Sequence, residues 1–228
     1  NTVILIAFLI IKFVLHYFIV APDYDLHRDE YLHLDQANHL AAGYQSVPPF
    51  SSWIAFLIKM LGNQEYWVRF FPALFGALTM AVVWKTIDEF NGGVFAQLMA
   101  LTGLCFSALL RLNILFQPNS ADIFFWTICS FFLIRYIRTK QPGNLLLTGF
   151  FFGLGLLNKY SIAFWAAGII PALLITEHRQ LFLKKEVYYA GLLALLIFSP
   201  NLVWQISNGF PVIGHMRELA GHQLVNVN

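Results

Sequence analysis

The sequence predicts an all-α protein, a polytopic membrane bundle of about seven transmembrane helices with interfacial helices in its first outer loop. Of the 228 residues, 58% are hydrophobic and only 11% are charged, and the mean hydropathy is +0.65. These values exclude an ordinary soluble domain, and apolar runs of nearly 20 residues are typical of membrane-spanning helices. The net charge of +2 comes without a basic cluster interleaved with aromatic residues, so we expect no nucleic-acid partner.

Seven apolar segments predict the spans. The first, residues 3–21, is followed by Pro22 and carries Lys12 near its middle. A lysine is costly in hydrocarbon unless it faces the bundle interior or reaches the interface. The remaining spans are predicted at residues 66–87, 94–115, 119–138, 144–157, 160–176 and 187–206.

Residues 22–64, called the acidic segment below, interrupt the apolar pattern. Residues 30–42 have apolar positions at helical spacing, which predicts a helix lying on the membrane surface. After Pro48 and Pro49, residues 50–61 predict a second interfacial helix that is too short to cross a bilayer. We interpret the acidic segment as the outer loop that carries the catalytic groups.

Loop charge predicts the orientation. If the acidic segment is outside, the connectors at 85–93, 135–143 and 177–186 face the cytoplasm, and they are short and basic. This matches the excess of Lys and Arg that is typical of cytoplasmic loops. We therefore expect a multi-pass protein of the cytoplasmic membrane with its site facing the outside or the periplasm. Residues 207–228 predict a polar loop, and residues 1–228 are expected to form one transmembrane domain, the N-terminal part of a longer protein.

Three acidic residues lie near the outer ends of predicted helices. Asp29 and Glu30 open the first interfacial helix, and Asp122 lies about one turn inside the fourth span. Acids at a helix start often serve only as caps, but a carboxylate there can also act as the general base for an attacking acceptor. An acid inside a membrane segment is a functional hypothesis by default. The alternative for Asp122 is a structural pairing with Arg111, Lys159 or a backbone amide.

Basic and aromatic side chains at the same level are candidates for substrate binding. Lys159 lies between two apolar helices with Tyr160 beside it. An ammonium group can hold a phosphate as a point charge, although a lysine can also simply reach the headgroups of membrane lipids. Arg69 at the start of the second span, and His215 and Arg217 in the final loop, are further candidates.

A metal site is the alternative that the histidines raise. Asp29 and His33 are four residues apart on the predicted helix, and His27 is close to both. No HExxH motif and no cysteine pair accompanies them, and these are the patterns that a catalytic zinc site usually shows. We therefore expect no cofactor, with a divalent metal as the alternative.

The order of several short motifs resembles that of the membrane glycosyltransferases with the GT-C fold. These motifs are DE at 29–30, GY at 43–44, PPFS at 48–51, VRFFP at 68–72, QPN at 117–119, NKY at 158–160 and PNLVW at 200–204. The resemblance covers essentially the whole chain. It is to the bacterial branch related to the dolichyl-phosphate-mannose protein mannosyltransferases and the lipid A aminoarabinose transferase.

The resemblance implies a transferase that takes a sugar from a polyprenyl-phosphate donor and passes it, with inversion, to a lipid, glycan or protein acceptor. It puts Asp29 at the catalytic centre with Glu30 beside it, and it makes Asp122 a second acid. Lys159 would hold the lipid phosphate. Membrane lipids are the expected surroundings of both substrates.

Two other classes stay open on the sequence. A transporter or a lipid-phosphate flippase would have internal repeats and helices broken at mid-membrane. We find no convincing repeat, and the breaks at Pro118 and Pro200 lie towards the outer ends of their spans. A structural assembly subunit would not need Asp122 and Lys159 in the membrane.

Overall fold

The computed structural model describes residues 2–20 and 25–222 and confirms the all-α membrane bundle. The described helices are α1 (Thr2–Ile19), α2 (Arg28–Gln36), α3 (Phe50–Met60), α4 (Glu65–Glu89), α5 (Val94–Cys105), α6 (Leu109–Leu112), α7 (Pro118–Thr139), α8 (Pro142–Asn158), α9 (Ile162–Ile175), a 3₁₀-helix (Glu177–Leu183), α10 (Lys185–Ser207) and α11 (Pro211–His222). Pro22, which was expected to close the first span, lies outside the described residues.

Four helices in the described part of the chain are long and apolar enough to cross a membrane, namely α1, α4, α7 and α10. Their bounds agree with the predicted spans to within two residues. The other three predicted spans correspond to α5, α8 and α9, which are 12, 17 and 14 residues long. The chain is therefore a multi-pass membrane protein, and the count of seven spans stays a prediction.

The predicted span 94–115 is wrong as a single helix. Helix α5 ends at Cys105, and the short helix α6 follows after a break. The hydroxyl of Ser107 accepts a hydrogen bond from the amide of Leu109 at 3.3 Å, so a serine side chain replaces a helical carbonyl at this point. Residues 113–117, called the α6–α7 loop below, then lead into α7.

The first interfacial helix is shorter than the predicted 30–42, because α2 ends at Gln36. The hydroxyl of Tyr44 lies 3.1 Å from the carbonyl oxygens of Gln36 and His39 and accepts a hydrogen bond from the Ala41 amide at 3.2 Å. A side chain from beyond the helix thus satisfies backbone groups that a continued helix would have paired. The second predicted interfacial helix is present as α3.

The final segment is not the polar loop that was predicted, since residues 211–222 form helix α11. Pro211 stands at its first position, where a proline fits a helix well. Val212, His215 and Leu219 recur at helical spacing and are all half-buried, whereas the residues between them are exposed. Residues 223–228 lie outside the described part.

Helix α7 lies at the centre of the bundle. It packs against α4 on one side and against α8 on the other, α8 packs against α10, and α1 and α5 flank α4. The central cluster is aromatic, with Phe124, Phe125 and Phe131 of α7 buried in it. Short connections between long helices favour antiparallel neighbours, so the starts of α4 and α7 meet the ends of α8 and α10. We call this end of the bundle the polar end.

Small residues allow α8 and α10 to approach closely. A Cβ atom added at Gly149 would lie 2.2 Å from the carbonyl oxygen of Ala190, and one at Gly153 would lie 2.9 Å from Ile197 Cβ and 3.0 Å from the carbonyl oxygen of Ala194. Backbone atoms cannot move aside cheaply, so these two positions require glycine. Small residues at such contacts are the usual means of close helix packing in membranes.

We predict that Gly149→Ala lowers the free energy of unfolding by about 1–3 kcal/mol, the usual cost of overpacking. The matched control is Gly168→Ala in α9, where an added Cβ meets nothing within 4 Å. Equilibrium unfolding of both variants in detergent measures the difference. Equal stability of the two variants would contradict the close approach of α8 and α10.

Candidate active site

A buried ion pair joins the acidic segment to the bundle. The Oε1 atom of Glu30 in α2 lies 2.7 Å from an Nη atom of Arg69 in α4, and the two side chains are 0% and 7% exposed. The same oxygen accepts the backbone N–H of Phe116 at 2.7 Å. Arg69 also donates to the carbonyl of Ile114 at 3.3 Å, so α2, α4 and the α6–α7 loop meet at one point.

The other oxygen of Glu30 closes the start of α2. It accepts the backbone N–H of His27 at 2.6 Å, while the His27 ring accepts the N–H of Asp29 at 3.2 Å. This reciprocal arrangement is a capping box with histidine in place of the usual serine or threonine. Both oxygens of Glu30 are therefore occupied by protein groups, and its carboxylate is sealed from solvent.

Asp29 is the accessible acid of the pair. Its side chain is 38% exposed. Its Oδ2 atom accepts a hydrogen bond from Gln117 Nε2 at 2.9 Å, and Oδ1 lies 3.5 Å from the guanidinium of the exposed Arg28. Neighbouring residues in the sequence thus have different environments, and Asp29 is the one that a substrate can reach.

A chain of side chains connects Asp29 to Lys159. Gln117, which donates to Asp29, accepts from Asn119 Nδ2 at 3.0 Å. Asn119 in turn accepts from Lys159 Nζ at 2.8 Å. The start of α7 and the end of α8 are held in this register because Asn158 donates to the carbonyl of Pro118 at 2.9 Å. The geometry thus links a carboxylate and an ammonium group at the polar end through two amide side chains.

Asp122 is engaged by a neighbouring hydroxyl. Its Oδ2 atom accepts a hydrogen bond from Ser161 Oγ at 2.8 Å, and its Oδ1 atom is buried with no hydrogen-bond partner among the described residues. Ser161 stands two residues after Lys159, so Asp122 lies beside the connection between α8 and α9. Of the partners considered for this acid on the sequence, none is its hydrogen-bond donor.

Tyr160 joins that connection to α10. Its hydroxyl donates to Asn201 Oδ1 at 2.7 Å and accepts from Gln205 Nε2 at 3.1 Å. Burial raises the pKa of the Tyr160 phenol, so it stays a neutral donor. Asn201 also donates to the carbonyl of Ala42 at 2.8 Å, which ties the acidic segment to α10. The glycine at position 43 is required there, because a Cβ atom would lie 2.6 Å from Asn201 Nδ2.

Lys12 of α1 holds the α6–α7 loop through a hydrogen bond to Asn113. It is 1% exposed, and its Nζ atom donates to Asn113 Oδ1 at 2.8 Å. Asn113 donates to Ser120 Oγ at 3.2 Å, so the polar contact continues to the start of α7. A Cβ atom at Gly76 would lie 2.2 Å from Asn113 Oδ1, so a side chain at this position of α4 would displace the Asn113 amide. Of the two placements considered for Lys12, the interior one is confirmed.

The buried face of α2 is polar. Glu30, His33 and Gln36 are buried, whereas Tyr31 and Leu32 are exposed. His33 lies 3.3 Å from Gln36 through Nδ1 and Oε1. Burial lowers the pKa of the His33 imidazole, although the hydrogen bond to Gln36 opposes this. The ring is therefore neutral near neutral pH.

Two predicted substrate-binding residues are not joined to this network. His215 and Arg217 lie on α11, and neither side chain makes a hydrogen bond or ion pair with another residue in the described ranges. Their part in substrate binding stays a prediction. Conversely, the sequence predicted no role for Asn113, Ser161 or Asn201, although a buried asparagine in an apolar helix, as at Asn201, is itself a signal.

The described residues contain no group of three or more His, Cys, Asp or Glu side chains arranged to hold a metal ion. His27 and Asp29 are close, with Nδ1 and Oδ2 3.7 Å apart. His33 instead points its Nδ1 towards Gln36.

With this geometry established, sequence comparison gives the family. The profile of the dolichyl-phosphate-mannose-protein mannosyltransferase family matches residues 46–204, which is more than half of the chain. The chain belongs to this family. It is therefore a bacterial-type GT-C membrane glycosyltransferase sequence, as the order of the motifs predicted. Asp29 and Glu30 precede the matched residues, whereas Arg69, Asp122 and Lys159 lie within them.

Two relatives of this glycosyltransferase chain come from Rhizobium johnstonii. It is 24% identical to the lipid A galacturonosyltransferase RgtD over 206 residues, covering 90% of this chain and 43% of that protein. It is 29% identical to the lipopolysaccharide core galacturonosyltransferase RgtB over 208 residues, covering 83% of this chain and 39% of that protein. The chain thus spans less than half the length of these relatives. No solved structure matches it.

The neutral His33 makes the stability of this GT-C chain sensitive to acid. Its native pKa is lowered from the ordinary value of 6.5, so the unfolded state binds the proton more readily. We predict that stability is complete above about pH 6.5 and falls as the pH drops below it. His33→Gln should reduce this loss, as measured by thermal unfolding in detergent between about pH 7.5 and about pH 5. The exposed His39 supplies the control variant His39→Gln, and an equal loss in both variants would exclude His33 as the source.

Proposed function

We propose that the protein containing this chain transfers a sugar from a polyprenyl-phosphate donor to an acceptor at the outer face of the cytoplasmic membrane. Transfer proceeds with inversion, and Asp29 is the general base. The observation that carries the proposal is the contrast within the acidic pair, in which Asp29 is accessible and Glu30 is sealed. Membership in a family of membrane glycosyltransferases supports sugar transfer rather than transport.

Asp29 suits the role of base because it has free acceptor capacity at an accessible position. Gln117 donates to one of its oxygens and so fixes the direction of the carboxylate. An ionised carboxylate offers about four lone-pair sites, so room remains for the hydroxyl of an acceptor. Glu30 acts as a positioning residue, because its ion pair and capping box set where α2 begins and hence where Asp29 lies.

Lys159 has the charge and the free hydrogens needed to bind the lipid phosphate of the donor. Its ammonium group has three hydrogens, and Asn119 takes one of them. The remaining hydrogens can bind phosphate oxygens, and the partly buried position strengthens the attraction. Asp122 balances the local positive charge from beside the α8–α9 connection.

The chemical step follows from these positions. The acceptor hydroxyl attacks the anomeric carbon of the donor while Asp29 takes its proton, and a new glycosidic C–O bond forms. The bond between the anomeric carbon and the phosphate oxygen breaks, and the electron pair leaves on the lipid phosphate. Lys159 stabilises this leaving group by its charge, so no proton donor is needed on that side.

The names of the relatives direct the choice of substrates. One is named for lipid A and the other for the lipopolysaccharide core, and both are named for galacturonosyl transfer. We therefore propose an amphiphilic glycolipid as the acceptor. Polyprenyl-phosphate galacturonic acid is the first donor to try, followed by neutral hexosyl and pentosyl donors.

We predict that Asp29→Asn lowers the transfer rate by about 10²–10⁴-fold, the usual contribution of a general base. The measurement is sugar transfer to purified lipid A in membranes that contain the full-length protein. Asp35→Asn is the matched control, because Asp35 is an exposed acid of the same helix and should leave the rate unchanged. Full activity of Asp29→Asn would refute its role as base.

A wild-type protein that binds lipid phosphate without transferring any sugar would refute the proposal as a whole. That result would favour the lipid-phosphate flippase.

A further inference from the structure

One cavity near Asp29 has no role in the proposed reaction. A cleft of about 550 Å³ lies between the end of α1, the start of α4 and α6. Its walls are mostly apolar and include Ile19, Leu110 and Ile114, and its polar side chains include His27, Arg69 and Arg111. We propose that this cleft binds the acceptor, an amphiphile with an anionic headgroup, and that Arg111 holds that headgroup. This inference rests on the proposed function.

Arg111 differs from Arg69, the other arginine of the cleft, in its exposure and in its partners. Arg69 is buried and committed to Glu30. Arg111 is exposed, and its guanidinium makes no ion pair or hydrogen bond with any residue in the ranges 2–20 and 25–222. A guanidinium that is unpaired within the described residues and stands beside an apolar wall matches a ligand that has a phosphate or carboxylate at one end and acyl chains at the other.

The position of Asp29 indicates that the cleft binds the acceptor and not the donor. The His27 ring lines the cleft, and its Nδ1 atom lies 3.7 Å from Asp29 Oδ2. The same Oδ2 atom accepts a hydrogen bond from Gln117, which leads through Asn119 to Lys159. The cleft at His27 and the ammonium group of Lys159 are therefore the two ends of one chain of contacts that passes through Asp29. Inversion requires the nucleophile and the leaving phosphate to stand on opposite faces of the anomeric carbon. With the donor phosphate at Lys159, the nucleophile comes from the cleft.

The cleft also reaches a helix that is long and apolar enough to span the membrane. Ile19, the last residue of that helix, lines the cleft and is 47% exposed. Burial of acyl chains against such surface is favourable, while the charged headgroup stays at the level of Arg111. A membrane-borne acceptor can therefore enter sideways without leaving the bilayer.

The test compares lipid A with dephosphorylated lipid A as acceptors for the full-length protein. We expect Arg111→Gln to raise the KM for lipid A by about tenfold or more, the scale of a lost charge-assisted contact, with the KM for the donor unchanged. The variant should not affect the dephosphorylated acceptor. Arg111→Lys should recover part of the loss, and Arg179→Gln, at an exposed arginine of the 3₁₀-helix, is the control.

A second variant tests the cleft without a change of charge, and a binding measurement tests it without relying on transfer activity. Leu110→Trp should fill the cleft and weaken the binding of both acceptors equally, without a change of charge. Direct binding of lipid A to the purified protein, followed by native mass spectrometry, should be reduced in Arg111→Gln even where no transfer is detected.

The outcomes separate the inference from the proposed function. An increase in the donor KM alone would overturn the acceptor assignment and make the cleft a donor site. Unchanged binding and kinetics in both Arg111→Gln and Leu110→Trp would overturn the cleft itself, while wild-type transfer still supported the proposed function. Absent wild-type transfer with Arg111-dependent lipid A binding would refute the proposed function alone.

Discussion

The buried pair of Glu30 and Arg69 is the constraint on which the polar end of the bundle depends. Taking two charges out of water costs several kcal/mol per ion, so such a pair persists only when its remaining hydrogen-bonding groups are satisfied. Here the backbone amides of His27 and Phe116 donate to the glutamate, and the carbonyl of Ile114 accepts from the arginine. The Nε atom of Arg69 has no hydrogen-bond partner among the described residues, but it lies 3.5 Å from the carboxylate of Glu65. One interaction therefore fixes the start of α2, the start of α4 and the loop between α6 and α7.

The arrangement of the candidate site is a consequence of that fixed point. Because Glu30 is held inside, the residue before it turns outward, and Asp29 becomes the accessible acid. Because Phe116 is held by Glu30, the next residue, Gln117, reaches Asp29. Lys12 adds support from within the membrane, where an amine must be paired, and it uses Asn113 of the same loop for that purpose. The supporting polar groups and the candidate catalytic groups thus meet at one loop.

Much of the fold is predictable because hydrophobic runs act locally along the chain. The bounds of α1, α4, α7 and α10 followed from apolar length alone. The break after α5 did not, because the residues around it stay apolar and the contact made there, from the Leu109 amide to the Ser107 hydroxyl, involves a single side chain. Helix α2 ended early because Tyr44, eight residues beyond its end, competes for the backbone. Helix α11 was missed because its apolar face is narrow.

The candidate site was only partly predictable for the same reason. Asp29, Glu30, Asp122 and Lys159 are conspicuous as charges near a membrane. The sequence does not tell which acid is sealed, since that depends on Arg69, 39 positions away in the chain. Amide and hydroxyl groups such as Gln117 and Ser161 carry no charge, and their contacts cross between helices. Their roles emerge only when the helix ends are brought together.

The central claim is that Glu30 and Arg69 act as one unit, and a double-mutant cycle tests it most directly. The cycle measures the free energy of unfolding in detergent for Glu30→Gln, Arg69→Met and the double variant. Each single change should cost about 3–5 kcal/mol, because it leaves an uncompensated buried partner. The double variant should cost less than the sum, with a coupling energy of about 0.5–3 kcal/mol. Strictly additive effects would mean that the two residues do not hold the acidic segment together, which would contradict the account.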